Sequence, residues 1–235
     1  MEQQTIGNQV IWFNRDLLTE DPAVCFEPQF WQQQNRVIGS AQGRGTTWFV
    51  RGERIEMALR HYRRGGLFGR FIKDSYIFSD WQQTRPAQEL ALMEKLVEGG
   101  VRVPRPVAGR AIKSGLFYRA DLLVEKIANG KDLVGLLQLA PLSHDIYVKI
   151  GEMVRKMHDL GVCHTDLNSH NILLDDQQQV WIIDFDKCGE KSGEGWKSDN
   201  LARLKRSFIK EQGKRNIHWS EPDWQALVDG YNLLT

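Results

Sequence analysis

From Val37 onward the apolar and β-branched positions come in short runs, Val37-Ile38, Thr46 to Val50 and Ile55 to Leu59, separated by Gly39, Gly43, Gly45 and Gly52. Short runs punctuated by glycine predict an antiparallel meander of three strands. Residues 86–98, PAQELALMEKLVE, open with proline, carry Leu90, Met93, Leu96 and Val97 at helical spacing, and stop at Gly99-Gly100; this predicts a helix. Strands are expected again at 107–112 and 117–127, and Asn129-Gly130 breaks the pattern and marks a boundary. Beyond it, Ile146, Ile150, Met153, Val154 and Met157 form one helical stripe that runs up to Gly161. Ile172-Leu173-Leu174 and Val180 to Ile183, joined by the polar turn 175–179, predict a β-hairpin. Two closing helices are expected near 198–212 and 222–234, the second capped by Ser220-Glu221-Pro222-Asp223. Residues 1–35 are polar, with turn marks at Asp21-Pro22 and Glu27-Pro28, and are expected to form a leading arm with room for one short helix.

Composition narrows the class. The 235 residues suffice for one large domain or two lobes. The 41% hydrophobic and 26% charged content is globular and excludes a disordered, collagen-like or coiled-coil chain. With 31 basic against 30 acidic residues, net charge provides no global pull towards nucleic acid or membrane. The first residues lack a secretory signal, no apolar run reaches the ~20 residues of a membrane helix, and a cytoplasmic location is expected. Cys25, Cys163 and Cys188 contain no CxxC pair, which suits free thiols.

The chemistry concentrates in His164-Thr165-Asp166-Leu167-Asn168-Ser169-His170-Asn171, followed by Asp184-Phe185-Asp186. This stretch leaves a helix and enters the hairpin, and the hairpin returns on Asp184, so Asp166, Asn171 and Asp184 are expected at one end of it. Hard oxygen donors of this kind suit a magnesium nucleotide, with Asn171 and Asp184 as metal ligands. Asp166 is then available to accept the proton of an incoming hydroxyl.

HTDLNSHN resembles the HRDLxxxN catalytic loop of the protein-kinase-like superfamily, and DFD resembles its DFG metal motif. LRHYRRGG, HTDLNSHNILLD, VWIIDFDKC and NLARLKRS together are similar to the bacterial lipopolysaccharide kinases, over roughly residues 37–212. The resemblance implies an α+β, two-lobed protein-kinase-like fold, with a small antiparallel-sheet lobe at 36–127, a mainly helical lobe at 128–235, and ATP between them. It implies ATP-dependent phosphorylation of the 4-hydroxyl of a 3-deoxy-D-manno-octulosonic acid (Kdo) sugar on a lipid A precursor. Mg2+ is the implied cofactor, and a peripheral place at the cytoplasmic side of the bacterial inner membrane is implied. No nucleic-acid or protein partner is expected.

The same resemblance assigns further residues. Met57-Ala58-Leu59-Arg60 stands where protein kinases have VAIK, so Arg60 is expected on the nucleotide phosphates, with Glu89 as its ion-pair partner. Gly43 and Gly45 lie in a glycine-rich turn that is not GxGxxG; it is either a phosphate cover or a plain hairpin turn. His164 is expected to brace the loop. Asp199 is expected either to cap the helix that follows or to bond back to the catalytic loop. Asp186 is either a carboxylate behind the metal or a turn residue. Residues 60–73 hold five basic residues and no acid, so Arg63, Arg64, Arg70 and Lys73 are expected to face an anionic acceptor, a solvated loop being the alternative. A second basic stretch, 203–215, has Glu211 as its one acid.

Three rival readings remain at this stage. One is a small-molecule kinase of the aminoglycoside or choline type, which shares the catalytic loop. Another is a catalytically silent module that binds acidic glycolipid. The third is a zinc hydrolase built on His158, His164, Asp166 and His170.

Overall fold

The computed structural model describes residues 1–43, 45–64 and 74–233. It is a mixed α/β chain with an antiparallel sheet and, among the described residues, six helices. Two compact units emerge, Met1–Ala91 with Arg105–Lys126 and Leu92–Pro104 with Ile127–Thr235.

The first unit is built on the sheet. Its strands are β1 (Glu2–Ile6), β2 (Gln9–Phe13), β3 (Val37–Gln42), β4 (Thr46–Arg51), β5 (Glu56–His61), β6 (Tyr76–Ile77), β7 (Pro106–Ser114) and β8 (Phe117–Glu125). The order is β1-β2-β7-β8-β5-β4-β3, with β6 on β8 and every pairing antiparallel. Residues 1–35 are therefore not a separate arm. Val10 to Phe13 are buried, because β2 pairs with β7, and the chain after it folds over one face of the sheet. There Leu17, Leu18, Cys25, Phe26 and Trp31, the last on helix α1 (Pro28–Gln33), pack on Met57, Leu59, Val107 and Leu123. The other face receives the first half of helix α2 (Arg85–Glu98). Gly109 permits the approach, since a Cβ there would lie 2.7 Å from Leu90 Cδ1 and 2.9 Å from Pro86 Cβ.

The second unit is mainly helical. It contains β9 (Lys131–Asp132), α3 (Leu133–Leu139), α4 (His144–Asp159), β10 (Val162–Cys163), β11 (Ile172–Leu174), β12 (Val180–Ile182), β13 (Gly189–Glu190), α5 (Gly195–Arg215) and α6 (Glu221–Asn232). The hairpin β11–β12 is extended by β9 into a three-stranded sheet. Ser220 and Asp223 form a capping box on α6, as the sequence predicted. Leu92–Pro104 groups with the helical unit, which resumes at Ile127.

Helices α4 and α6 cross with their backbones in contact through two glycines. A Cβ on Gly151 would lie 2.6 Å from the Tyr231 nitrogen, and one on Gly230 would lie 2.6 Å from Val148 Cα. Alanine inside a helix normally gains about 1 kcal/mol over glycine. Here Gly151→Ala is expected to lower stability by ~2 kcal/mol or more, since backbone cannot move aside as a side chain can. Denaturant unfolding checks this, and an unchanged or raised midpoint would refute the close crossing.

Candidate active site

The catalytic-loop segment follows α4 through Gly161, whose φ of +75° ends the helical path, and β10. His164 is wholly buried. Its Nε2 lies 3.0 Å from the Ile183 carbonyl, and its Nδ1 lies 3.2 Å from the Asp166 backbone nitrogen. A carbonyl can only accept and an N–H can only donate, so the proton sits on Nε2 and Nδ1 accepts. Burial pushes the imidazole pKa below its ordinary value and keeps the ring neutral, as this arrangement requires. The ring also packs on Phe185, centroids 4.9 Å apart. One side chain thus joins the start of the loop to the strand end that precedes Asp184.

The remaining loop geometry is set by two asparagines. The side-chain nitrogens of Asn168 and Asn171 each donate to the Asp166 carbonyl at 2.9 Å. Asn168 Oδ1 accepts from the His170 nitrogen and caps the 3-10 turn Ser169–Asn171. The Ser169 nitrogen donates to Ser207 Oγ on α5 at 2.9 Å. Strand pairing opposes Ile172 to Ile182, and the Ile183 nitrogen donates to the Asn171 carbonyl. Asn171 and Asp184 therefore flank the same end of the hairpin. Asp184 has a φ of +67°, a left-handed conformation that a non-glycine residue holds only when its surroundings impose it, and such residues cluster at functional sites. The Asp166 side chain is exposed, while Asn171 and Asp184 are half-buried.

Behind the loop stands a chain of hydrogen bonds absent from the sequence reading. Asn200 Nδ2 donates to the His164 carbonyl at 2.8 Å, and Asn200 Oδ1 accepts from His158 Nε2 at 3.0 Å. His158 Nδ1 in turn accepts from the Tyr231 hydroxyl at 2.9 Å. Asp199 does neither of the things expected of it. It is exposed, and it lies inside α5, which begins at Gly195 with Glu194 as its cap. The inward stripe of α5 is Asn200, Leu204, Phe208 and Glu211, one position off Asp199, so the bond to the loop falls to Asn200. Both nitrogens of His158 and of His164 are committed to these bonds, which leaves neither ring available to a zinc ion. His170, also in that rival set, faces Asp132 at 3.2 Å and Arg215 at 3.1 Å.

In the sheet unit, Arg60 on β5 forms an ion pair with buried Glu89 on α2. Tyr62 donates its hydroxyl to the other oxygen of Glu89 at 2.6 Å, and the Arg60 guanidinium lies 5.1 Å from the Tyr62 ring centroid. The Arg60 side chain keeps 26% of its surface exposed, enough to meet a ligand. Gly43 and Gly45 form the β3–β4 turn, where the Gly43 nitrogen donates to the Gly45 carbonyl. Of the four residues expected to face an anionic acceptor, two are described. Arg63 lies on the opposite sheet face from Arg60, in a pocket of about 440 Å3 with His61, Arg110 and Arg119. Arg64 is spent on structure, donating to the Ser75 carbonyl at 2.8 Å and covering the Tyr76 ring. Arg70 and Lys73 lie outside the described residues.

Among the described residues no three His, Cys, Asp or Glu side chains stand together as a metal-binding group. An amide and a carboxylate at the hairpin end are thus a partial donor set, which phosphate oxygens and water would complete around Mg2+. An exposed carboxylate on a braced loop beside that pair is the construction of a phosphoryl-transfer enzyme of the protein-kinase-like class. The chain belongs to the lipopolysaccharide kinase (Kdo/WaaP) family, whose model matches residues 28–231. It is 64% identical over 233 residues to a 3-deoxy-D-manno-octulosonic acid kinase of Photobacterium profundum, covering 99% of each chain. It is 54% identical to that of Vibrio parahaemolyticus serotype O3:K6, covering 100% of this chain and 98% of the relative. The corresponding kinase of Haemophilus influenzae (strain 86-028NP) is 49% identical, with 99% and 100% covered. The family resemblance carried by the motifs is thereby shown. No helix among the described residues is long and apolar enough to cross a membrane.

The His158 network makes stability depend on pH. Burial lowers the His158 pKa from 6.5 to about 4, so the unfolded chain binds its proton more readily than the folded one. Its contribution, roughly 3 kcal/mol, is complete above about pH 6.5 and is lost as pH falls towards about 4. Unfolding free energy measured across that range should fall with acidification, and should fall less steeply in His158→Gln. Equal slopes in both proteins would contradict the buried neutral imidazole.

Proposed function

We propose that this protein transfers the γ-phosphoryl group of ATP to the 4-hydroxyl of a Kdo sugar on a lipid A precursor, a step of lipopolysaccharide core biosynthesis. The observation that carries the reading is the braced loop, which sets Asp166 beside the hairpin end formed by Asn171 and Asp184. Relatives named 3-deoxy-D-manno-octulosonic acid kinases, matched over nearly the whole chain, support a Kdo acceptor. The sheet unit is read as the small lobe and the helical unit as the large lobe of a two-lobed kinase-like fold. The protein works peripherally at the cytoplasmic side of the inner membrane, where its acceptor lies.

In this reading Asp166 orients the sugar hydroxyl and receives its proton. Asn171 and Asp184 hold Mg2+, which neutralises phosphate charge when bound. Tying the Asn171 amide nitrogen to the Asp166 carbonyl leaves its side-chain oxygen for the cation. Arg60, steadied by Glu89, grips the α and β phosphates. Its forked guanidinium binds phosphate through two donors where lysine offers a point charge. Gly43 and Gly45 let the β3–β4 turn come close to the phosphates, and His164 acts through the loop it positions.

Mass spectrometry of Kdo-lipid acceptor incubated with the protein and Mg-ATP should show the addition of one phosphate. Asp166→Ala should reduce turnover by ~100-fold or more, and Asp184→Asn should do the same with its unfolding midpoint intact. Transfer to an aminoglycoside or to choline but not to Kdo, or binding of Kdo-lipid without turnover, would contradict the reading. Separately, Arg60→Lys should raise the KM for ATP several-fold with the acceptor KM unaffected. Wild-type nucleotide kinetics would show that Arg60 does not touch phosphate.

A further inference from the structure

A second cavity of about 240 Å3 opens beside the catalytic loop, entirely within the helical unit. Thr165, the residue before Asp166, forms part of its wall. Lys191, Trp196, Asp199, Arg203 and Arg206 line it further. Arg203 and Arg206 are three residues apart on α5 and share one face of it.

Three other cations of the same helix are paired, whereas among the described residues Lys210 and Lys214 are not. Lys197 pairs with Glu194 and Asp159, Lys205 pairs with Glu221, and Arg215 pairs with Glu211. Among the described residues no carboxylate stands within ion-pair distance of Lys191, Arg203 or Arg206, although Asp199 shares the wall. Three cations against one carboxylate leave the cavity positive beside a loop whose own chemistry is acidic. The Trp196 ring forms part of the same wall. Its indole Nε1–H is buried and has no acceptor, while the ring is held edge-on to His158 with centroids 5.0 Å apart.

An acidic acceptor faces repulsion at such a loop, from Asp166, Asp184 and the triphosphate together. Fixed cations beside the loop would offset that repulsion and fix the acceptor's orientation at the same time. We propose that this cavity is the anion subsite for the acceptor. Lys191, Arg203 and Arg206 hold a carboxylate or phosphate group of the acidic glycolipid and so present its hydroxyl to Asp166. The proposal rests on the acceptor class inferred above and places Arg203 and Arg206 of the second basic stretch in its recognition.

The test is steady-state kinetics of Arg203→Ala/Arg206→Ala, two exposed positions whose loss leaves the core intact. The acceptor KM should rise at least ~10-fold, as expected for lost charge-assisted contacts, with the ATP KM unchanged. The paired lysine variant, Arg203→Lys/Arg206→Lys, should restore part of the loss, with the ATP KM again unchanged. Repeating the series with acceptor stripped of its lipid phosphates identifies the bound group. An effect that persists assigns the sugar carboxylate, and one that vanishes assigns a lipid phosphate. An acceptor KM in the folded double alanine variant equal to wild type would overturn the proposal. Equilibrium binding of the same acceptor in detergent micelles separates this failure from failure of the parent reading. If the wild type binds but does not phosphorylate it, weaker binding by the double variant still upholds the subsite, and equal binding overturns it.

Discussion

One buried imidazole sets the geometry of the catalytic loop. His164 accepts from the backbone of Asp166 and donates to the backbone of Ile183, so a single rigid ring fixes two chain segments that are far apart in sequence. The arrangement works only while the ring is neutral, and complete burial keeps it so. Behind it the bonds run in one direction, from the Tyr231 hydroxyl to His158, from His158 to Asn200, and from Asn200 to the His164 carbonyl. Each donor in that series is matched to an acceptor, the condition under which a buried polar network rigidifies a site. The close crossing of α4 and α6 at Gly151 and Gly230 places Tyr231 within reach of His158. Packing between two helices is thereby linked to the position of a loop.

The sheet unit solves a different problem, that of holding a cation steady next to apolar surroundings. Glu89 is buried, yet both of its oxygens are occupied, one by Arg60 and one by the Tyr62 hydroxyl. A carboxylate bonded from two sides is fixed in place and directs the guanidinium. The glycine at position 109 brings α2 close enough to the sheet for this contact to form. Opposite faces of β5 have separate roles, because side chains alternate along a strand. Arg60 and Tyr62 meet α2, whereas His61 pairs with Asp121 across the other face, a contact that raises the His61 pKa.

Much of this was legible from residue order because the signals are local. The stripe from Ile146 to Met157 became α4, the two apolar runs became β11 and β12, and the hairpin brought Asn171 and Asp184 to one end. The first strands were missed because β1 is polar and exposed, lying at the sheet edge where no apolar alternation is needed. A signal was present nonetheless in Gly7-Asn8, a two-residue hairpin turn with Gly7 at a φ of +58°. Asp199 was expected as a cap or a loop contact from its place before Leu201 and from the family pattern, but helix phase decides which side chain points inward, and that is Asn200. Arg64 shows the limit of counting charge. Its sequence neighbourhood is basic, but its guanidinium is taken up by Ser75 and Tyr76, contacts that only the folded chain reveals.

The central claim is that Asn171 and Asp184 together form the metal end of a nucleotide site. Electron paramagnetic resonance of Mn2+, titrated into the protein with a non-hydrolysable ATP analogue, tests it without reference to any acceptor. One saturable Mn2+ site is expected in the wild type, lost in Asp184→Asn and weakened in Asn171→Ala, with both variants folded. Unaltered Mn2+ binding in both variants would contradict it.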